Sequence, residues 1–300
     1  MKNIIIVLLV LIIAAFGGYF LIQNLSGPAD VQDIASSTAP LEDGDSSAME
    51  EDMGQSVIGT SVEGRDIIAY HYGTGDTEVL FVGGIHGGYS WNTALVAREM
   101  MDYMEGDTGI IPANVKVTVI PALNPDGLYK VAGTSTAEFT AADVASSQSV
   151  QVSGRFNANN VDLNRNFDCD WQESGKWRNR TVSGGSESFS EPESRAIKNY
   201  VETHDLAAVV VWYSAAGGVF ASSCHNGVLP ETLALTNAYA AASGYKAYED
   251  FDFYEITGDM VNWLAKKGVP AISVLLTNHT DTERTKNQAG IKAVMEHYTQ

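Results

Sequence analysis

Basic residues are scarce in this chain: 18 Lys and Arg stand against 37 Asp and Glu, for a formal net charge of −19. The deficit excludes nucleic acid and anionic lipid surfaces as partners, because both are bound through excess positive charge. Acidity on this scale chiefly keeps a chain soluble. Cysteine is nearly absent as well, and the two present, Cys169 and Cys224, lack zinc-finger spacing. No internal repeat and no second linker divide the stretch after position 55, so its roughly 245 residues read as a single domain with one large core.

Long apolar runs are confined to the N-terminus. Ile4 to Ile22 is almost continuously apolar, with Lys2 before it. As a helix it would span about 28 Å, close to the hydrocarbon thickness of a bilayer. That length favours a membrane anchor over the alternative, a cleaved signal peptide, for which no clear Ala-x-Ala site is seen. Lys2 on one side and acidic residues on the other orient the remainder outside the cytoplasm, anchored, or secreted if the segment is removed. From Asp30 to Asp52 acidic residues recur with no Lys or Arg among them, the pattern of a self-repelling, disordered tether. The expected organisation is therefore 1–23 anchor, 24–55 acidic tether and 56–300 folded domain.

Within that domain, strand-like runs at 66–72, 78–82, 115–120, 207–212 and 271–276 alternate with helical patterns at 92–104, 191–203, 231–242, 259–267 and 287–298. Apolar strands separated by helices predict an α/β fold, a single-domain α/β/α sandwich around a mixed, largely buried central sheet. Ser190 and Glu193 have the Ser-x-x-Glu spacing of a capping box for the second of these helices. Residues 133–149, rich in Ala, Ser and Thr, show no sustained period and are expected to form a surface excursion.

Four segments carry chemistry: Gly83-Gly84-Ile85-His86-Gly87-Gly88-Tyr89-Ser90-Trp91 after an apolar strand, Asn124-Pro125-Asp126-Gly127, Val161-Asp162-Leu163-Asn164-Arg165-Asn166-Phe167, and Phe189-Ser190-Glu191-Pro192-Glu193. Together they resemble the zinc metallocarboxypeptidase family, which includes carboxypeptidases A, B, N and E, over residues 56–300. The resemblance implies a zinc held by a His and a Glu at a strand-to-helix junction and by a second His before a Ser on a later strand, with an open position for water. It also implies a Glu on a late strand that takes the proton from that water.

Only the first of these residues is kept. His86 matches, but Tyr89, or Ser90 if the glycine-rich turn shifts the register, stands where the Glu ligand is expected. Tyr213 stands for the second His, and Leu275 for the catalytic Glu. Phenol and serine hydroxyls are weak zinc ligands, and leucine carries no proton. No metal cofactor is therefore expected, and His86 reads as a hydrogen-bonded polar residue of a turn. A rescue of the metal site by His71, His204, His225, His279 or His297 has no close ligand spacing to support it.

The binding side is better kept. Arg155 and Arg165 stand ten residues apart, a spacing similar to the N/E branch. There the second Arg, with the Asn before it (here Asn164), grips a C-terminal carboxylate, and the first assists the scissile carbonyl. A planar guanidinium fork suits that task; the alternative is a pair of surface salt bridges. Tyr254 falls where the family has a mobile tyrosine over the substrate, or else is a partly buried aromatic, and Val261 falls where the specificity pocket ends. The resemblance also brings Cys169 and Cys224 together beside the pocket as a disulfide candidate, the alternative being two separate buried thiols.

Three functions follow. The first is a catalytically inactive pseudoenzyme that binds peptide or muropeptide C-termini. The second is an active metallocarboxypeptidase with a remodelled metal site, and the third a structural surface domain with a vestigial pocket.

Overall fold

Runs of Val, Ile, Leu and aromatic residues form the centre of the sheet. The structure, a computed structural model, describes residues 54–299. The expected anchor and nearly all of the expected tether lie outside the described residues. β1 (Gln55–Thr60) and β2 (Asp66–Tyr72) form an antiparallel pair. They are followed by β3 (Thr77–Val82), α1 (Trp91–Gly106), β4 (Val115–Ile120), α2 (Pro125–Ala132) and α3 (Gln148–Ser153). A small hairpin, β5 (Ser174–Trp177) and β6 (Arg180–Ser183), precedes α4 (Pro192–Thr203), β7 (Leu206–Ser214) and β8 (Gly218–Ala221). The chain closes with α5 (Pro230–Ser243), β9 (Lys246–Tyr248), α6 (Met260–Lys266), β10 (Ala271–Leu276) and α7 (Arg284–His297).

Eight strands form one mixed sheet in the order β1-β2-β4-β3-β7-β10-β8-β9. Its centre, β4-β3-β7-β10, is parallel, and β8 runs antiparallel to β10. A parallel centre must be covered on both faces, and the period of two in each strand divides the side chains accordingly. Leu80, Val82, Val209, Val211, Tyr213 and Leu275 point to one face, where Ile197 and Tyr200 of α4 and Met260, Trp263 and Leu264 of α6 cover them. Val79, Phe81, Val210, Trp212, Ile272 and Val274 point to the other, against α1, α5 and α7. Each fully buried large side chain contributes about 1.5–3 kcal/mol, and Phe81 also stacks on Trp212 with ring centres 5.5 Å apart.

The expected sandwich is the fold observed. Several elements were not anticipated, namely β1, the β5–β6 hairpin, β8, β9, α2 and α3, most of them short. The capping box at Ser190 and Glu193 is not formed. Pro192 takes the first helical position, which suits its fixed φ and missing N–H, so Glu191 becomes the residue before the helix and makes no side-chain cap. Glu193 instead turns inward and accepts from Asn157 Nδ2 at 3.1 Å and from the Val62 amide at 3.2 Å. The excursion after α2 is irregular as far as Ser147, then forms the single turn-and-a-half of α3. No helix among the described residues is long and apolar enough to cross a membrane.

Candidate functional site

In open α/β sheets the crevice beyond the carboxyl ends of parallel strands is the natural ligand position, and the sheet brings the expected residues there. His86 follows β3, Tyr213 lies near the end of β7, and Leu275 pairs in register with Tyr213 from β10. They border a cleft of about 800 Å³ together with Tyr89, Arg155, Asn164, Asp259, Val261 and His279.

His86 is buried, and its Nε2 approaches Asp162 Oδ1 at 3.3 Å. At that distance the contact is an ion-pair approach, and neither ring nitrogen nor Asp162 Oδ1 has a closer polar partner that makes a well-formed hydrogen bond. His86 thus lies in ion-pair range of a carboxylate. Burial, followed by the positive charge of Arg155, lowers the His86 pKa from 6.5 to about 4, against the pull of Asp162. Burial opposes ionisation of Asp162, but Arg155 and His86 together hold its carboxyl well below the usual range. Arg155 donates to Asp162 Oδ2 through Nε at 2.9 Å and lies within 2.8 Å of it through Nη2. Its guanidinium also sits over Trp177, 4.5 Å from the ring centre.

The remaining zinc positions hold donors already engaged. The Tyr213 hydroxyl donates to Asn164 Oδ1 at 3.0 Å, and burial pushes its pKa well above 10. The Tyr89 hydroxyl accepts from Arg178 Nη2 at 2.7 Å, and Tyr89 rather than Ser90 borders the cleft. At the three expected ligand positions one imidazole and two engaged phenols do not supply the donor set of a catalytic zinc. Leu275 is apolar and buried at the position of the expected base.

The expected substrate contacts are only partly assembled. Asn164 Nδ2 donates to Asp259 Oδ2 at 2.7 Å, and Asp259 also caps α6 through the Asn262 amide at 3.0 Å. Burial raises the Asp259 pKa, partly offset by these bonds. Arg165 does not border the cleft. Only 5% exposed, it donates to Thr257 Oγ1 at 2.8 Å, Lys176 O at 2.7 Å and Glu255 O at 3.2 Å, so its fork is filled by the protein itself. Neither arginine forms a surface salt bridge. Tyr254 is 50% exposed at the rim, packed edge-on against Phe251 with ring centres 4.9 Å apart.

Arg178 was not singled out by the sequence, and His279 was named only as one of five histidines that could rebuild a metal site. Arg178 sits at the tip of the β5–β6 hairpin with φ +52° and leans over Trp177 at 5.2 Å and Tyr89 at 5.7 Å. No local motif marks it. His279 packs on Tyr89 with ring centres 4.5 Å apart, and burial lowers its pKa to about 4. Cys169 and Cys224 are joined by a disulfide with Cα atoms 6.2 Å apart.

A sequence profile described as zinc carboxypeptidase matches residues 48–297. Carboxypeptidase Z of Rattus norvegicus is 30% identical over 128 residues, which are 37% of this chain and 17% of that protein. The carboxypeptidase N catalytic chain of Homo sapiens is 27% identical over 190 residues, 57% of this chain and 37% of that protein. These matches thus cover a minor part of each relative. Among solved structures, carboxypeptidase A from Helicoverpa armigera superposes with a TM-score of 0.61 at 19% identity, over 82% of this chain and 69% of the other, which shows a shared fold.

Proposed function

The chain belongs to the zinc carboxypeptidase family, and from that premise we propose that it is a non-catalytic member that binds the C-terminal carboxylates of peptides or muropeptides. The reading rests chiefly on one juxtaposition. A cleft of about 800 Å³ is kept open, while Leu275 and Tyr213 stand side by side where a base and a metal ligand would be needed. Loss of a general base alone costs ~10²–10⁴ in rate. Recognition keeps its ingredients, with Arg178 at the rim, Arg155 over Trp177, the Asn164 amide and the apolar wall at Val261. The Cys169–Cys224 disulfide fits a domain outside the cytoplasm, anchored through residues 1–23 or released by cleavage. The test is calorimetric titration of the full chain with matched free-acid and C-terminally amidated peptides. Tighter binding of the acids supports the reading, and equal binding favours a structural domain with a vestigial pocket.

A second reading, hydrolysis through a rebuilt metal site, draws support from His279, whose buried Nδ1 lacks a hydrogen-bond partner and whose ring lies against Tyr89. Metal-dependent turnover lost on His279→Ala would favour it.

A further inference from the structure

Two dipeptides, Cys169-Asp170 and Cys224-His225, face each other across the disulfide at one side of the domain. One donor atom from each of the four residues lies within 4.8 Å of all the others. Asp170 and His225 both have left-handed backbone, φ +51° and +62°, which residues with a Cβ seldom adopt. Asp170 Oδ1 is 3.0 Å from His225 Nε2, and Cys169 Sγ is 3.8 Å from Asp170 Oδ2. We propose that these four residues form a redox-gated site for a zinc-like divalent cation, closed by the disulfide and opened by its reduction.

Size and donor chemistry both fit. Metal–ligand bonds of about 2.0–2.3 Å at tetrahedral angles separate neighbouring donors by roughly 3.3–3.8 Å, close to the His225–Asp170 and Cys169–Asp170 spacings already present, while the bonded sulfurs must move apart. Two thiolates, an imidazole and a carboxylate make a closed four-coordinate set of the kind that zinc prefers. Because the Cα atoms are 6.2 Å apart, the sulfurs separate by side-chain rotation after reduction. While oxidised, the sulfurs are poor donors, and the exposed His225–Asp170 pair alone binds weakly.

The opening step needs a reductant, for which a dithiol serves. Its two thiols supply two electrons and two protons, the Cys169–Cys224 bond breaks to two thiols, and the dithiol leaves as a disulfide. Coordination then releases the two cysteine protons to solvent, because the thiolates are the ligands. The cysteines are buried, whereas Asp170 and His225 are exposed, so the cation enters from the solvent side. None of the four residues belongs to the cleft around His86.

Cobalt(II) is the probe, since thiolate coordination gives it a charge-transfer absorption that neither His86 nor a carboxylate site produces. The full chain is reduced with a dithiol, freed of it under anaerobic conditions and titrated with Co²⁺ beside an untreated sample. The reduced chain is expected to take up one equivalent with tetrahedral, thiolate-type spectra, displaced by Zn²⁺, and the oxidised chain to show none. His225→Ala and Asp170→Asn, both at exposed positions, should each weaken uptake by roughly tenfold or more. Absence of the thiolate band in reduced, folded protein overturns the proposal. So does uptake that is indifferent to both substitutions, which would assign binding to the thiols alone.

Discussion

Arg178 faces the cleft from an exposed position and donates to the Tyr89 hydroxyl, whereas Arg165 donates to three acceptors of the fold and is buried. The two should therefore fail differently. Arg178→Ala is expected to weaken free-acid peptides by about 1 kcal/mol, roughly fivefold, leave amides unchanged and reduce the salt dependence of binding. Titrations at two ionic strengths check this, and unchanged acid preference in the variant would remove Arg178 from the site. Arg165→Ala leaves the Thr257, Lys176 and Glu255 oxygens without their donor and should cost about 3 kcal/mol of stability, read as a lower urea midpoint. A second residue-scale effect concerns acid. The His86 pKa falls from 6.5 unfolded to about 4 folded, so between these values the unfolded chain binds more protons. Stability is then fully present above pH 6.5 and declines toward pH 4, by up to about 3 kcal/mol from this group. His86→Gln should flatten that decline, measured by denaturation across the interval, although His279 shifts in the same direction and leaves a residual slope.

At the scale of elements, the turn before α6 is the point on which the site hangs. Gly258 has φ +65°, donates to Cys169 O at 2.8 Å and accepts from the Phe167 amide at 3.0 Å, and a Cβ there would meet Arg165 O at 2.2 Å. Gly258→Ala should thus cost about 2–4 kcal/mol and loosen Arg165 and the loop after β9 together. A thermal midpoint unchanged from the parent would contradict this. The long elements were legible in the sequence because burial wrote their pattern: β7 and β10 are mainly apolar and almost wholly buried. The hairpin that supplies Arg178 was not, since β5 and β6 are four residues each with a single buried residue apiece, leaving no apolar alternation to read. The start of α4 was misread, although its expected end at Thr203 is the one observed. A Ser-x-x-Glu pattern reports a cap only when the backbone starts there, and Pro192 moved the start by one residue.

At the scale of the whole molecule, the parallel strands β3, β7 and β10 carry His86, Tyr213 and Leu275 to one edge, where the resemblance leads one to expect metal ligands and a base. Sequence motifs could place these positions because they lie at strand ends, whereas which way a buried arginine turns depends on acceptors more than ninety residues away, as with Arg165 and Thr257, which no local pattern encodes. If the scaffold is otherwise intact, Tyr213→His, Leu275→Glu and Tyr89→Glu combined should recover zinc binding and some hydrolysis, while each alone does little, because such residues act as a unit. A folded triple variant that takes up no zinc by metal analysis would count against the positional match. The central claim, that the cleft holds a peptide end without cutting it, is tested most directly by incubating the full chain with a free-acid peptide and added zinc and following the peptide by mass spectrometry. The peptide is predicted to stay at its original mass; time-dependent loss of its C-terminal residue, abolished by His86→Ala, would contradict the account.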